Sequence, residues 1–132
     1  METAFNCICL KICFFKNFLY VLVTVFIEGF YHGMMIGLAA GMSSRYFIRS
    51  NREAGDGRFD LVLEPKFPSL PGIIFEFKAE KVESNLISAA EKALKQIDEK
   101  RYDTELKSRG ITEIVKYGIA FSGKKVEIAI SV

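Results

Sequence analysis

Three charged residues in the middle of the chain have the types and spacing that work on a phosphate ester would need: Asp60, Glu76 and Lys78. Glu76 and Lys78 sit two apart in Gly72 to Lys78 (GIIFEFK), a run dense in β-branched and aromatic residues that predicts a strand. Strand side chains alternate, so the carboxylate and the ammonium share one side while Phe75 and Phe77 take the other, apolar side toward the core. In the preceding predicted strand, Arg58 to Glu64, the residues Arg58, Asp60 and Val62 share a face opposite Phe59, Leu61 and Leu63. Pairing of the two strands brings Asp60 beside Glu76.

Two carboxylates held together repel, and in a half-buried place that is costly unless a cation lies between them. Mg²⁺ (or Mn²⁺) suits such a pair: it takes one or two carboxylates and keeps several waters, leaving positions for phosphate oxygens and an attacking water. A lysine alongside would orient or help deprotonate that water and offset charge building on the phosphorus oxygens. The strand pattern leaves a second account open. Asp60 and Glu76 could be ordinary residues on the polar faces of amphipathic strands, with an ion pair between Asp60 and Lys78.

The elements that must position these residues follow in a clear order. Phe30 to Met42 predicts a helix in which Gly33, Gly37 and Gly41 share one face. That face suits tight packing on a sheet, or a small-residue seam of the kind that pairs membrane helices. Arg45 to Ser50 predicts a strand and Asn51 to Gly57 (NREAGDG) a turn. After the Arg58 to Glu64 strand, the prolines of Pro65 to Pro71 require a loop. Glu83 to Lys100 is the clearest helix, with Leu86, Ala90, Ala93, Leu94 and Ile97 on one stripe. Gln96 lies at the border of that stripe, where it can look back at the sheet. A short helix through Tyr102 to Ser108 stops at Gly110, and the strands Ile114 to Phe121 and Lys125 to Val132 close on a hairpin at Gly123.

The run Asp60, fifteen residues, Glu76-Phe77-Lys78, set between two helices, resembles the D-x(n)-E-x-K motif of the PD-(D/E)XK nuclease superfamily. A narrower resemblance spans about Phe30 to the end. Phe30-Tyr31-His32-Gly33, Ser50-Asn51-Arg52-Glu53, Gly57-Arg58-Phe59-Asp60, Glu76-Phe77-Lys78, Ala93-Leu94-Lys95-Gln96-Ile97 and Tyr117-Gly118-Ile119-Ala120-Phe121 are similar to the nuclease-like C-terminal domain of bacterial AAA-ATPase-like proteins.

The resemblance implies an α/β (α+β) fold with a restriction-endonuclease-like core, α-β-β-β-α-β, whose mixed central sheet is flanked by helices. It implies a Mg²⁺-dependent hydrolase cutting nucleic acid, DNA in the first place. Asp60, Glu76 and the Phe77 carbonyl take the place of metal ligands, Lys78 that of the catalytic lysine, and Gln96 that of a glutamine beside the active site. Arg52 and Arg58 are candidates for nucleic-acid contacts and Glu53 for support of the ligands, with turn-stabilising ion pairs as the other account of Glu53 and Arg58. Glu28 aligns poorly with the first-helix acid of some members, and His32 reads as a packed helix-start residue. Phe59 replaces the proline of the motif, which leaves the ligand chemistry intact. No G-x-x-x-x-G-K-[ST] phosphate loop occurs in the sequence, so an ATPase partner would belong to a longer or neighbouring chain.

Length and composition set the frame. At 132 residues, half of them hydrophobic and 26% charged, the chain suits one domain with its own core. A net charge of +2 does not announce a nucleic-acid binder, though a local basic patch would suffice. Cys7, Cys9 and Cys13 have neither disulfide nor zinc-site spacing and read as unpaired thiols.

Residues 1–29 stand apart from the 30–132 domain. Their uninterrupted apolar stretch, Phe18 to Ile27, is about half the ~20 residues that span a bilayer, and Lys11 and Lys16 interrupt its extension. This segment is a buried or partner-covered element, a membrane anchor, or a remnant of a longer protein. The functions in competition are therefore a cytoplasmic metal-dependent nuclease, a non-catalytic nucleic-acid or protein interaction module of the same fold, and a small membrane-associated protein.

Overall fold

The protein is represented by a computed structural model that describes residues 29–132 apart from Asp56, with the backbone alone described at 51–54 and 57–59. The N-terminal apolar stretch and Glu28 lie outside the described residues.

A mixed five-stranded sheet in the order β1-β2-β3-β4-β5 carries helices on both faces. Its strands are β1 (Tyr46–Ala54), β2 (Gly57–Pro65), β3 (Gly72–Ala79), β4 (Ile114–Ser122) and β5 (Lys125–Ser131). The first three form an antiparallel meander. β3 and β4 are parallel over the whole length of β3, from Gly72↔Ile114 to Ala79↔Phe121. A parallel pair needs a crossover, and helices α2 (Leu86–Glu99) and α3 (Thr104–Ser108) supply it. This is the expected α+β arrangement, a mixed sheet flanked by helices.

The predicted turn at Asn51 to Gly57 is shorter than expected. The β1–β2 ladder continues through Arg52↔Phe59 and Glu53↔Arg58 to Ala54↔Gly57, with Gly55 in the turn beyond Ala54. Main-chain pairing is indifferent to the polar side chains that suggested a turn, and Gly55, at φ 56°, supplies the left-handed residue that a tight hairpin turn favours. The tip also packs closely: a Cβ on Gly55 would lie 2.3 Å from the Lys100 carbonyl oxygen, just past the end of α2.

α2 buries Leu86, Ala89, Ala90, Ala93 and Ile97 against one face of the sheet. It comes closest at Gly118 in β4, where a Cβ would meet the Ala90 carbonyl oxygen at 2.2 Å and the Leu94 amide nitrogen at 2.4 Å. On this side Val62, Ile74, Ile97, Tyr102, Leu106 and Ile114 make one core. The opposite face is covered by α1, a helix over residues 29–40. Ala39, with Met35 and Ile36, joins Tyr46, Leu61 and Leu63 there. The glycine face of α1 is not the contact: a Cβ on Gly33 or Gly37 would touch nothing within 4 Å among the described residues. Apolar side chains elsewhere on the wheel seal the helix to the sheet instead.

Candidate active site

The β2–β3 ladder pairs Leu63↔Ile73, Val62↔Ile74 and Leu61↔Phe75, and then stops. At the next step the Asp60 side chain takes over from the backbone: its Oδ2 accepts the Phe77 N–H at 2.8 Å. The strands part there, and Asp60 is fixed at the opening by a main-chain donor. The sequence pattern predicts the convergence of Asp60 with Glu76, and the geometry adds how it is held.

Glu76 does not lie on a half-exposed polar face. Its side of β3, shared with Ile74, is the one covered by α2, and Glu76 is only 5% exposed. Both faces of β3 are covered because it runs between β2 and β4 with helices above and below. Gln96 projects from α2 onto this side. Its Nε2 donates to Glu76 Oε1, and its Oε1 accepts from Lys78 Nζ at 2.9 Å. An ammonium only donates and a carboxylate only accepts, so the two neighbours fix which end of the amide faces which. The Tyr102 hydroxyl stands 3.3 Å from the same Nε2. The Asp60–Lys78 ion pair left open by the strand pattern is not formed; Lys78 reaches Gln96 instead.

A second buried carboxylate shows what is unusual about Glu76. Glu64, 9% exposed, is bonded by Arg49 Nε at 2.6 Å and by Arg109 Nη1 at 2.6 Å and 2.7 Å. Burial alone would raise its pKa, but the hydrogen bonds and charge of Arg109 and Arg49 outweigh it and hold the carboxyl below its ordinary value. Glu76 receives an amide in place of two guanidiniums, and its Oε2 is buried without a hydrogen-bond partner. Burial first, and the negative charge of Asp60 second, push its pKa up to about 8 against the pull of Lys78 and of a main-chain hydrogen bond from Asp60. Burial raises Asp60 as well, opposed by the Phe77 N–H, His32 and Lys78. A carboxyl pair left without enough positive charge is a place where a cation fits.

Asp60 and Lys78 open on a cavity of about 140 Å³, also lined by Gly29, Tyr31, His32 and Phe77. His32, packed edge-on against Phe77 near the start of α1, also lines this cavity. Its Nε2 is buried without a partner, and its charge acts on Asp60. Nothing local in the sequence points His32 at Asp60, because they meet only through the path of α1 across the sheet. Tyr102 is missed for the same reason, since it enters the α2 side from beyond the helix end. Among the described residues no group of three or more His, Cys, Asp or Glu has metal-binding geometry, and of the two acids Asp60 lines the cavity while Glu76 is buried beside it. The Arg52, Glu53 and Arg58 side chains lie outside the described residues.

The family model described as the PD-(D/E)XK nuclease superfamily matches residues 26–130. The chain belongs to the PD-(D/E)XK nuclease superfamily. Membership supports a nuclease-like function at the family level and, with it, the divalent-metal chemistry typical of these enzymes. In this member Asp60, Phe77 and Lys78 line one cavity, while Glu76 is buried beside it and is joined to Lys78 through Gln96. No curated protein and no solved structure matches the chain.

Proposed function

We propose that this chain is a metal-dependent nuclease that hydrolyses phosphodiester bonds of DNA, using Mg²⁺ or Mn²⁺ held by Asp60 and Glu76. The observation that carries this reading is the buried, unpartnered Oε2 of Glu76 beside a second carboxylate. A hard dication that retains several waters needs only one or two protein carboxylates, which is what the site offers. The Phe77 carbonyl is a further candidate ligand. The N–H and C=O of one strand residue point to the same side, and the Phe77 N–H points into the gap where Asp60 stands.

When bound, the cation would polarise a phosphoryl oxygen and make an attacking water more acidic. The chain's own groups do the rest. Gln96 holds the Lys78 ammonium beside the carboxylates, where it orients the attacking water and offsets charge developing on phosphorus oxygens. The amide also keeps Glu76 Oε1 engaged, so that Oε2 is the free oxygen. His32 on the cavity wall is a third polar group for the phosphate or the metal shell, and Arg52 and Arg58 are candidates for backbone phosphate contacts. A role on DNA fits a cytoplasmic location. The six sequence blocks further suggest an ATPase domain, in a longer or neighbouring chain, as the partner of this nuclease domain.

The test is cleavage of plasmid and single-stranded DNA with Mg²⁺ or Mn²⁺. The native chain should cut in a metal-dependent manner that EDTA stops. DNA binding without turnover under every metal condition would instead make it a non-catalytic interaction module of this fold.

A further inference from the structure

We infer that the Phe30 ring is a stacking platform for an unpaired base next to the scissile phosphate, which makes single-stranded DNA the preferred substrate of this site. The inference rests on the nuclease reading and deepens it by naming the substrate class.

The cavity on which Asp60 and Lys78 open has a volume of about 140 Å³. Pockets that enclose a drug-sized ligand run to roughly 300–1,000 Å³. This one takes a phosphate group with a cation and its waters, and leaves the base of the nucleotide outside. What stands at the rim decides where that base goes.

The rim is aromatic. Gly29 and Tyr31, at the start of α1, both line the cavity, and Phe30 stands between them 64% exposed. The Tyr31 ring is held on two sides: it stacks on Phe121 of β4 with centroids 4.0 Å apart, and its hydroxyl donates to the Gly123 carbonyl. Phe30 packs against that fixed ring at 70°, with 5.7 Å between centroids. α1 turns Met35, Ile36 and Ala39 to the sheet, so Phe30 lies outside that contact. A rigid neighbour thus sets its position while most of its surface is kept for a partner.

A singly exposed aromatic is ordinary on a protein surface, and it is position that distinguishes Phe30. Among the described residues the other exposed phenylalanines stand elsewhere: Phe47 lies under the Lys66 ammonium, 4.7 Å from the ring centroid, and Phe67 lines a separate cavity beyond the end of β2. Stacking on a protein ring needs a free π-face, which an unpaired base offers and a base inside a duplex stack does not. Phe30 therefore contributes to single strands and frayed ends and adds nothing for an intact duplex. Lys124, exposed, follows the residue that accepts the Tyr31 hydroxyl, so a cation is at hand for a neighbouring phosphate.

The experiment measures binding of the full chain, in EDTA so that nothing is cut, to a fluorescein-labelled single-stranded oligonucleotide and to its duplex. The native chain should favour the single strand. Phe30→Ala and Phe30→Leu should each weaken single-strand binding by at least about fivefold and duplex binding by less than about twofold, while Phe30→Trp retains the preference. The sequence contains no tryptophan, so the fluorescence of Phe30→Trp reports on this position alone. It should be quenched by the single strand and not by the duplex. Native-like single-strand binding by Phe30→Ala, an equal loss on both forms, binding of neither form by the native chain, or unquenched Phe30→Trp with the single strand bound overturns the inference. Metal-dependent cleavage with single-strand and duplex rates both unmoved by Phe30→Ala overturns it too and leaves the nuclease reading standing. Phe30-dependent binding with no cleavage under any metal supports the platform and removes the nuclease reading alone.

Discussion

The Phe77 main-chain N–H donates to Asp60 Oδ2 at 2.8 Å, at the step where β2 and β3 stop pairing. One carboxylate oxygen of Asp60 is thereby spent on the fold and the other is left for chemistry. Asp60→Asn can keep an acceptor for Phe77 while removing the charge, whereas Asp60→Ala removes both. Both variants should lose cleavage by at least about 10²-fold. Only Asp60→Ala should also lower stability, by about 1–3 kcal/mol, as a main-chain donor loses its partner. Paired cleavage rates and urea melts distinguish the two losses.

Gln96 bridges Glu76 and Lys78, and Tyr102 touches the donating end of its amide. Gln96→Ala frees Lys78 to swing and removes the side-chain donor to Glu76, and cleavage should fall by about 10²-fold. Tyr102→Phe removes one neutral hydrogen-bonding group and should cost roughly 2–10-fold. Rates measured at saturating metal, with circular dichroism to confirm folding, check the ranking.

The raised pKa of Glu76 has a definite sign in stability. In the fold it keeps its proton up to about pH 8, while its ordinary value is 4.5. Between those values the folded state binds more protons than the unfolded state, so metal-free stability falls as pH rises, by up to about 1.4 kcal/mol per pH unit. Asp60, also raised, acts in the same direction. Denaturation in EDTA at pH 5, 6.5 and 8 should show this decline, Glu76→Gln should flatten it, and Mg²⁺ or Mn²⁺ at pH 8 should restore stability.

Gly118 sets how closely α2 lies on the sheet, with 2.2 Å to the Ala90 carbonyl oxygen for a Cβ placed there. Gly118→Ala must push α2 outward, at a cost of about 1–3 kcal/mol or more. Gln96 lies on that helix, so cleavage should drop further than the folded fraction does. Urea denaturation and cleavage measured on the same samples test this.

The site is partly legible in the sequence. Alternation along GIIFEFK is enough to put Glu76 and Lys78 on one side, and the α2 wheel places Gln96 at a border that faces them. Alternation reports which residues share a face, not what covers it. The polar side of β3 therefore reads as half-exposed, although α2 buries it. The parallel pairing of β3 with β4 is equally invisible locally, because it depends on the crossover through α2 and α3. Asn51 to Ala54 read as turn because composition reports side-chain polarity, while the ladder is made by the main chain. His32 and Tyr102 reach the site from distant parts of the chain, and no local period marks such a meeting.

Lys78 tests the central claim most directly, because it belongs to the proposed chemistry while Asp60 and Glu76 are the proposed ligands. The measurement is the single-turnover rate of DNA cleavage at saturating Mn²⁺ or Mg²⁺ for the native chain and for Lys78→Ala, with metal binding followed by calorimetry. The expected result is a loss of at least about 10²-fold in rate with metal affinity retained. Cleavage by Lys78→Ala at the native rate would contradict the account.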